Sequence, residues 1–398
     1  MTPGQLPGRG SLTAIPHDRH EFDLHGLVGV RLVDATPADV AKVRRQLGPI
    51  DGRLDREPDV TVRFVDALTT RPLTHIGLHE TAWNEDGFFV LGGSTDRPGR
   101  ARVPFDKLGR HPEIVCERSL PAVPHLLAVI NLTALAKGVL PLHASAFSTE
   151  GTGILVTGWS KGGKTEALLS NVSEGADYVG DEWVYLTSGG EMFGIPEPIR
   201  LWAWQIEQLA DVRKQRGPAQ RLRLAGCSRA AKALERMGAT ALPGAGVAAK
   251  AGPVVGRQAY VQIPPVELFG SSAIALHGRL DAVVLVESHT ASDTEVTSIS
   301  SADIAARMVA SLREERARFM THYRHSQFAF PGCASTVLDA ADHNEGRLIR
   351  RLLADRPAAR VVHPYPCDIA ALGATVRAAA MDALATSQRA ADVRELRP

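Results

Sequence analysis

Between a buried-strand run, Ile154-Leu155-Val156-Thr157, and a helix-forming run, Glu166-Ala167-Leu168-Leu169-Ser170, the chain reads Gly158-Trp159-Ser160-Lys161-Gly162-Gly163-Lys164-Thr165. This is G-x-x-x-x-G-K-[ST], a pattern that the chain's own residue frequencies produce by chance in roughly 0.7% of such sequences. A strand, a glycine-rich turn and a helix in that order restrict the fold strongly. Backbone N–H groups of the turn converge at a helix N-terminus, where the dipole favours an anion. Lys164 is expected to reach the outer phosphates of a nucleotide, and the Thr165 hydroxyl to ligate Mg²⁺. Only eight of 398 residues are lysine, and two of them, Lys161 and Lys164, lie in this turn.

The surroundings alternate in the α/β manner. Leu140–Phe147, Gly153–Thr157, Tyr178–Leu186 and Leu280–Val286 read as strands. Leu120–Lys137, a segment opening near Lys164, and Ser301–Arg318 read as helices. Upstream, short β-type runs (Val60–Val65, Gly87–Leu91, Ala101–Phe105, Glu113–Cys116) are separated by Asp, Gly and Pro. Asn84-Glu85-Asp86-Gly87 suits a hairpin. The expected organisation is a mostly β amino-terminal domain (1–119), an α/β domain (120–330) and a helical carboxy-terminal extension (331–398). Two helical stretches between Gly346 and Ala385 flank His363-Pro364-Tyr365-Pro366.

Charge adds a regional detail. The 45 Lys+Arg and 44 Asp+Glu nearly cancel, which argues against a surface built to wrap nucleic acid or bind anionic lipid. Yet 213–236 holds eight basic residues against one acid, inside an expected insertion at 211–257. That stretch could close over an anionic ligand, recruit an acidic peptide, or form a solvated helical face. The start of the chain shows no apolar signal segment, and Leu126–Ala136 is too short for a membrane span. Cys116, Cys227, Cys333 and Cys367 show no metal or disulfide spacing. A cytoplasmic protein with reduced thiols and no membrane partner is expected, with self-association left open.

Two further constellations stand near the loop. Gly180-Asp181-Glu182 follows the loop helix at the start of the apolar run Trp183–Leu186. Adjacent acids in a strand point to opposite faces unless the strand ends or bends there. One could then face a metal and the other a substrate hydroxyl; the pair also fits a solvated turn. Leu142-His143-Ala144-Ser145-Ala146 is a β run carrying a histidine, which suits a structural role as well as a catalytic one.

Together, the Leu-His-Ala-Ser strand, the loop ending Gly-Lys-Thr-Glu and the paired acids after Ala176-Asp177-Tyr178-Val179-Gly180 resemble the carboxy-terminal kinase domain of the HPr serine kinase/phosphorylase family. That family is similar in fold to phosphoenolpyruvate carboxykinase. The resemblance is specific over about 120–205 and loose over 255–330. It implies an α/β P-loop kinase core with ATP and Mg²⁺ as cofactors. Gly158, Ser160, Gly163, Lys164 and Thr165 match the phosphate loop, with Lys161 and Gly162 inside it. Asp181 matches the acid that takes the proton from a serine hydroxyl. Glu182 matches a second acid associated with the metal and with an upstream histidine, here His143. Arg200, in Pro196-Glu197-Pro198-Ile199-Arg200-Leu201, is a candidate phosphate or substrate contact, or a surface ion pair.

The departures are Trp159, where the family usually has a smaller or acidic residue, Lys161, where it usually has glycine, and Glu182, where it has Asp. No copy of the segment that recognises HPr is evident. The expected function is transfer of the ATP γ-phosphate to a hydroxyl, on serine of a peptide or protein, or on a small molecule. A non-catalytic nucleotide-binding scaffold and a carboxykinase-like lyase are the alternatives. His322-Tyr323-Arg324-His325 is expected as a polar cluster after the long helix.

Overall fold

The computed structural model describes residues 20–77, 80–93, 98–209 and 260–395, with isolated positions between 212 and 237. The Pro/Gly-rich start, most of the basic stretch 213–236 (of its basic residues only Arg229 and Arg236 are described) and the Gly/Ala-rich run 243–256 lie outside the described residues.

The amino-terminal region is mostly β, as its punctuated runs imply. It forms an eight-stranded sheet from β1 (His20–Leu24), β2 (Val28–Val33), β3 (Val60–Val65), β4 (Thr74–Ile76), β5 (Thr81–Asn84), β6 (Gly87–Gly93), β7 (Pro98–Arg102) and β8 (Glu113–Glu117). Their order is β1-β2-β3-β8-β7-β6-β5-β4. The expected hairpin is there, with Asn84 facing Gly87 at the β5–β6 turn. The run expected as a strand to Phe105 stops at Arg102, because Phe105 opens a short 3₁₀ turn and buries its ring.

One helix in this region, Pro37–Leu47, was not expected. Its signals are local: Thr36 caps the Asp39 N–H, Asp39 returns the bond to the Thr36 N–H, and Pro37 takes the first turn. Val40, Val43 and Leu47 supply the buried stripe.

The second sheet is mixed and has nine strands. It runs β16 (His277–Arg279), β13 (Glu191–Gly194), β12 (Trp183–Leu186), β9 (Leu140–Thr149), β10 (Thr152–Thr157), β17 (Ala282–His289), β19 (Ala358–Pro364), β18 (Glu295–Ser298). The ninth strand, β11 (Asp177–Gly180), also pairs with β9. A separate ribbon joins β14 (Ile199–Trp202) to β15 (Tyr260–Ile263).

Both faces of this sheet are covered, so its central strands read as continuous apolar runs. Ile154 and Val156 of β10, with Ala282, Val284 and Val286 of β17, join one core with the helices Lys164–Ser173 and Ile369–Glu395. Leu155, Val283 and Leu285 face the other way. They join a core containing the helices Leu126–Ala136, Ser301–Ala329 and Ala341–Leu353 and the inner face of the first sheet. Burying each such Val or Leu stabilises the fold by about 1.5–3 kcal/mol. The carboxy-terminal helix is long and apolar enough over Ile369–Asp392 to cross a membrane by composition alone. Here Leu372, Val376 and Ala380 are buried in the core shared with the helix Lys164–Ser173.

Two sequence expectations shift. The long helix does not end at Arg318 but continues to Ala329, so His322–His325 lie within it, because Phe319, His322, Tyr323 and Ser326 continue its buried stripe. The carboxy-terminal region is helical, yet the segment before Tyr365 is β19, a strand parallel to β17.

Candidate active site

The glycine-rich turn joins β10 to the helix Lys164–Ser173. Gly158 takes φ +152°, and a Cβ there would stand 2.3 Å from the Val286 carbonyl. Gly163 takes φ +104°, with a Cβ position 2.4 Å from His363 Nε2. Only glycine satisfies both the dihedral and the close approach at these places. Lys161 also adopts a left-handed conformation, φ +63°. Buried His363 braces the turn, its Nε2 lying 2.7 Å from the Gly162 carbonyl oxygen.

Lys164 is buried and donates to the carbonyls of Gly158 (3.2 Å) and Trp159 (3.0 Å). Burial holds its pKa below the ordinary lysine value, against the pull of Glu182, Asp181, Glu315 and Glu166. Its own carbonyl accepts from Ser145 Oγ at 2.8 Å, which ties the helix start to β9.

The paired acids fall where the strand breaks. β11 and β12 both pair with β9, and between them the Trp183 N–H donates to Asp181 O across a three-residue turn (2.7 Å). Glu182, at the centre, takes φ +61°. An i to i+2 bond around a non-glycine residue at positive φ is a strained γ-turn, and such strain clusters at functional sites. The turn sends the two carboxylates apart.

Asp181 goes inward, 2% exposed, and accepts from the Thr165 hydroxyl at 3.1 and 3.2 Å. Burial, then the charge of Glu182, raises its pKa to about 7. Glu182 goes toward the cavity with 51% of its side chain accessible, and its Oε2 accepts from His143 Nε2 at 3.0 Å. That bond holds its pKa below the usual carboxylate value, and the charges of His143, Lys164 and Arg200 act in the same direction. The sequence reading put the metal on Thr165 and Glu182; the structure brings Asp181, and not Glu182, to Thr165.

His143 is held from both sides. Its Nδ1 lies 2.7 Å from Glu315 Oε1 on the long helix, near enough for an ion pair although not aligned as a hydrogen bond. Burial disfavours its charged form, yet Glu182 and Glu315 overcome that and raise its pKa.

A cavity of about 530 Å³ unites these groups. Ser160, Lys161, Gly163, Lys164 and Thr165 line it from the loop, His143 and Arg200 from strands, and Asp181 and Glu182 from the turn between β11 and β12. Gly158 and Gly162 shape the turn without lining the cavity. Arg200 places its guanidinium 4.9 Å from the centre of the Tyr260 ring.

Sequence reasoning missed three groups. Glu315 comes from a helix far along the chain. Gln205 donates to Glu166 Oε1 at 2.8 Å. Glu197 carries a buried Oε1 without a hydrogen-bond partner, and burial followed by the charges of Glu182 and Asp181 raises its pKa well above the carboxylate range. Of these, only Glu197 had a local signal, its place three residues before Arg200.

Among the described residues, no group of three or more His, Cys, Asp and Glu side chains could hold a metal ion by itself. A Mg²⁺ ion that shares its coordination sphere with phosphates needs only one or two carboxylates. The Thr165 hydroxyl facing the Asp181 carboxylate is a hard-oxygen pair of that kind.

No protein-family model matches this chain, and no curated protein shows significant similarity to it.

Proposed function

We propose that the protein is an ATP-dependent kinase that transfers the γ-phosphate to a hydroxyl acceptor, serine of a peptide or protein or a small alcohol. The observation that carries this reading is the division of labour at the γ-turn. One acid is buried against Thr165, and its neighbour is accessible in the same cavity and bonded to a histidine. Pure nucleotide binding has no need of the second acid.

Within the P-loop kinase reading suggested by the HPr kinase resemblance, the geometry favours exchanging the roles of the two acids. Thr165 and Asp181 would hold Mg²⁺, which would neutralise phosphate charge when bound. Glu182 is the group that an acceptor hydroxyl can reach. In the transfer, the acceptor oxygen forms a bond to the γ-phosphorus as the bond to the β,γ-bridging oxygen breaks. The hydroxyl proton passes to the Glu182 carboxylate, and ADP leaves. His143, held by Glu315, fixes the direction of that carboxylate. Lys164 and Arg200 supply positive charge around the phosphates, so the protein acts chiefly by positioning and electrostatics.

Mass spectrometry tests this with Mg-ATP and a panel of acidic serine peptides and small alcohols, glycerol included. The reading expects a product heavier by one phosphate, formed by the parent and not by Lys164→Ala. Equal product from both proteins would exclude the loop as the site of transfer.

A further inference from the structure

The cavity has an aromatic wall that the proposed transfer does not use. Trp204 stands on the short helix Ala203–Gln208 and Tyr365 directly follows β19; both line the cavity. Their rings meet edge to face, with centroids 5.8 Å apart and planes at 79°. Tyr365 keeps 52% of its surface exposed, so its ring is available to a ligand. Gln205 fastens this wall to the loop helix. Its Oε1 accepts from the Trp202 N–H at 2.7 Å, and its Nε2 donates to Glu166 Oε1.

A phosphate-binding loop fixes the direction in which a triphosphate lies. The lysine reaches the β- and γ-phosphates and the Thr hydroxyl serves the metal between them. The γ end therefore points toward Asp181 and Glu182. The nucleoside must leave on the other side, over the first helical turn beyond Thr165. Glu166 occupies that turn, and it is the residue that Gln205 holds beside Trp204.

Resting on the nucleotide reading above, we propose that Trp204 and Tyr365 form the nucleobase subsite, one ring stacking on the base and the other closing its edge. Aromatic rings hold any flat π-face, and purines offer the larger one. The subsite thus takes a purine nucleoside triphosphate through stacking and leaves Glu182 to the acceptor.

Calorimetric titration of the full chain with Mg-ATP and with magnesium tripolyphosphate separates base from phosphates. The parent is expected to bind ATP more tightly than tripolyphosphate. Trp204→Ala and Tyr365→Ala should each weaken ATP binding by about 5- to 150-fold, the range for a lost stacking contact. Tripolyphosphate binding should stay at the parental level, which also shows that the loop remains folded in both variants. ATP affinity unchanged in both variants overturns the subsite and leaves the kinase reading standing. Tripolyphosphate binding lost together with ATP overturns it too, since the rings would then support the loop rather than a base. A parent that binds neither ligand overturns the nucleotide reading itself, and the subsite with it.

Discussion

His143 and His322 are almost equally buried, 6% and 2% exposed, yet their surroundings drive them in opposite directions. His143, in the cleft, stands between Glu182 and Glu315, and its pKa is raised. His322 stands where the long helix meets the first sheet. It lies 2.7 Å from His125 through the ring nitrogens and stacks on His325, which bonds Thr81 of β5. Burial, then Arg318 and His325, lower its pKa to about 4 against a weak pull from Glu80. His125 falls to about 3, through burial, His322 and Arg318. Burial alone therefore does not decide the charge of a histidine; the partners do. Both settings depend on one helix, because Glu315 and His322 are seven residues apart and project from the same face two turns apart.

The largest way to break this contrast is at the loop. Lys164→Ala should abolish measurable ATP binding and lower transfer at least about 100-fold, because among the described residues no other lysine or arginine that lines the cavity is buried. Calorimetry and product formation read both, and parental affinity would remove the lysine from the account.

Next is Glu315→Gln. Removing one flanking charge should bring the His143 pKa down toward its ordinary value, visible as a lower midpoint in its NMR titration. Transfer should fall about tenfold through misdirection of Glu182. An unchanged midpoint would mean that Glu182 alone sets the charge.

The other histidine site predicts acid sensitivity of stability. His125 and His322 have folded values below the unfolded 6.5, so below that pH the unfolded chain binds protons that the fold refuses. Their contribution is complete above about pH 6.5 and is lost as pH falls toward 4, by at most about 1.4 kcal/mol per pH unit for each ring. Urea unfolding across pH 7 to 4.5 measures the slope. The double variant His125→Asn, His322→Asn should flatten it, and an equal slope would locate the acid response elsewhere.

The smallest effect lies far from both. Thr36→Ala removes the cap of the helix Pro37–Leu47 and should cost about 1 kcal/mol in unfolding free energy, with transfer unaltered.

What could be read from the sequence was what local order determines. The turn between β10 and its helix shows in Gly158, Gly163 and the runs on either side. The divergence of Asp181 and Glu182 was expected from strand alternation, but it arises from the γ-turn that breaks the strand at Glu182. The helix at Pro37 was legible too, through Thr36, Pro37 and Asp39, but a region of short β runs drew the reading away from it. Other features depend on partners distant in sequence. Nothing near Glu315 indicates that it meets His143, and nothing near Gln205 indicates that it meets Glu166. β19 was hidden by Pro364 and Pro366, which read as a break although Ala358–His363 pairs along β17. The roles proposed for the two acids were likewise beyond the linear text, because they depend on which carboxylate the γ-turn delivers to Thr165.

In the proposed transfer, Glu182 takes the acceptor's proton while Asp181 serves the metal. The direct measurement is transfer rate beside Mg-ATP affinity for the parent and Glu182→Gln, with Asp181→Asn compared across Mg²⁺ concentrations. Glu182→Gln is expected to keep parental ATP affinity while transfer falls by about 10²- to 10⁴-fold. Asp181→Asn is expected to shift the Mg²⁺ dependence to higher concentration. Transfer at the parental rate in Glu182→Gln, with a Mg²⁺-independent loss in Asp181→Asn, would contradict that assignment and return the base to Asp181.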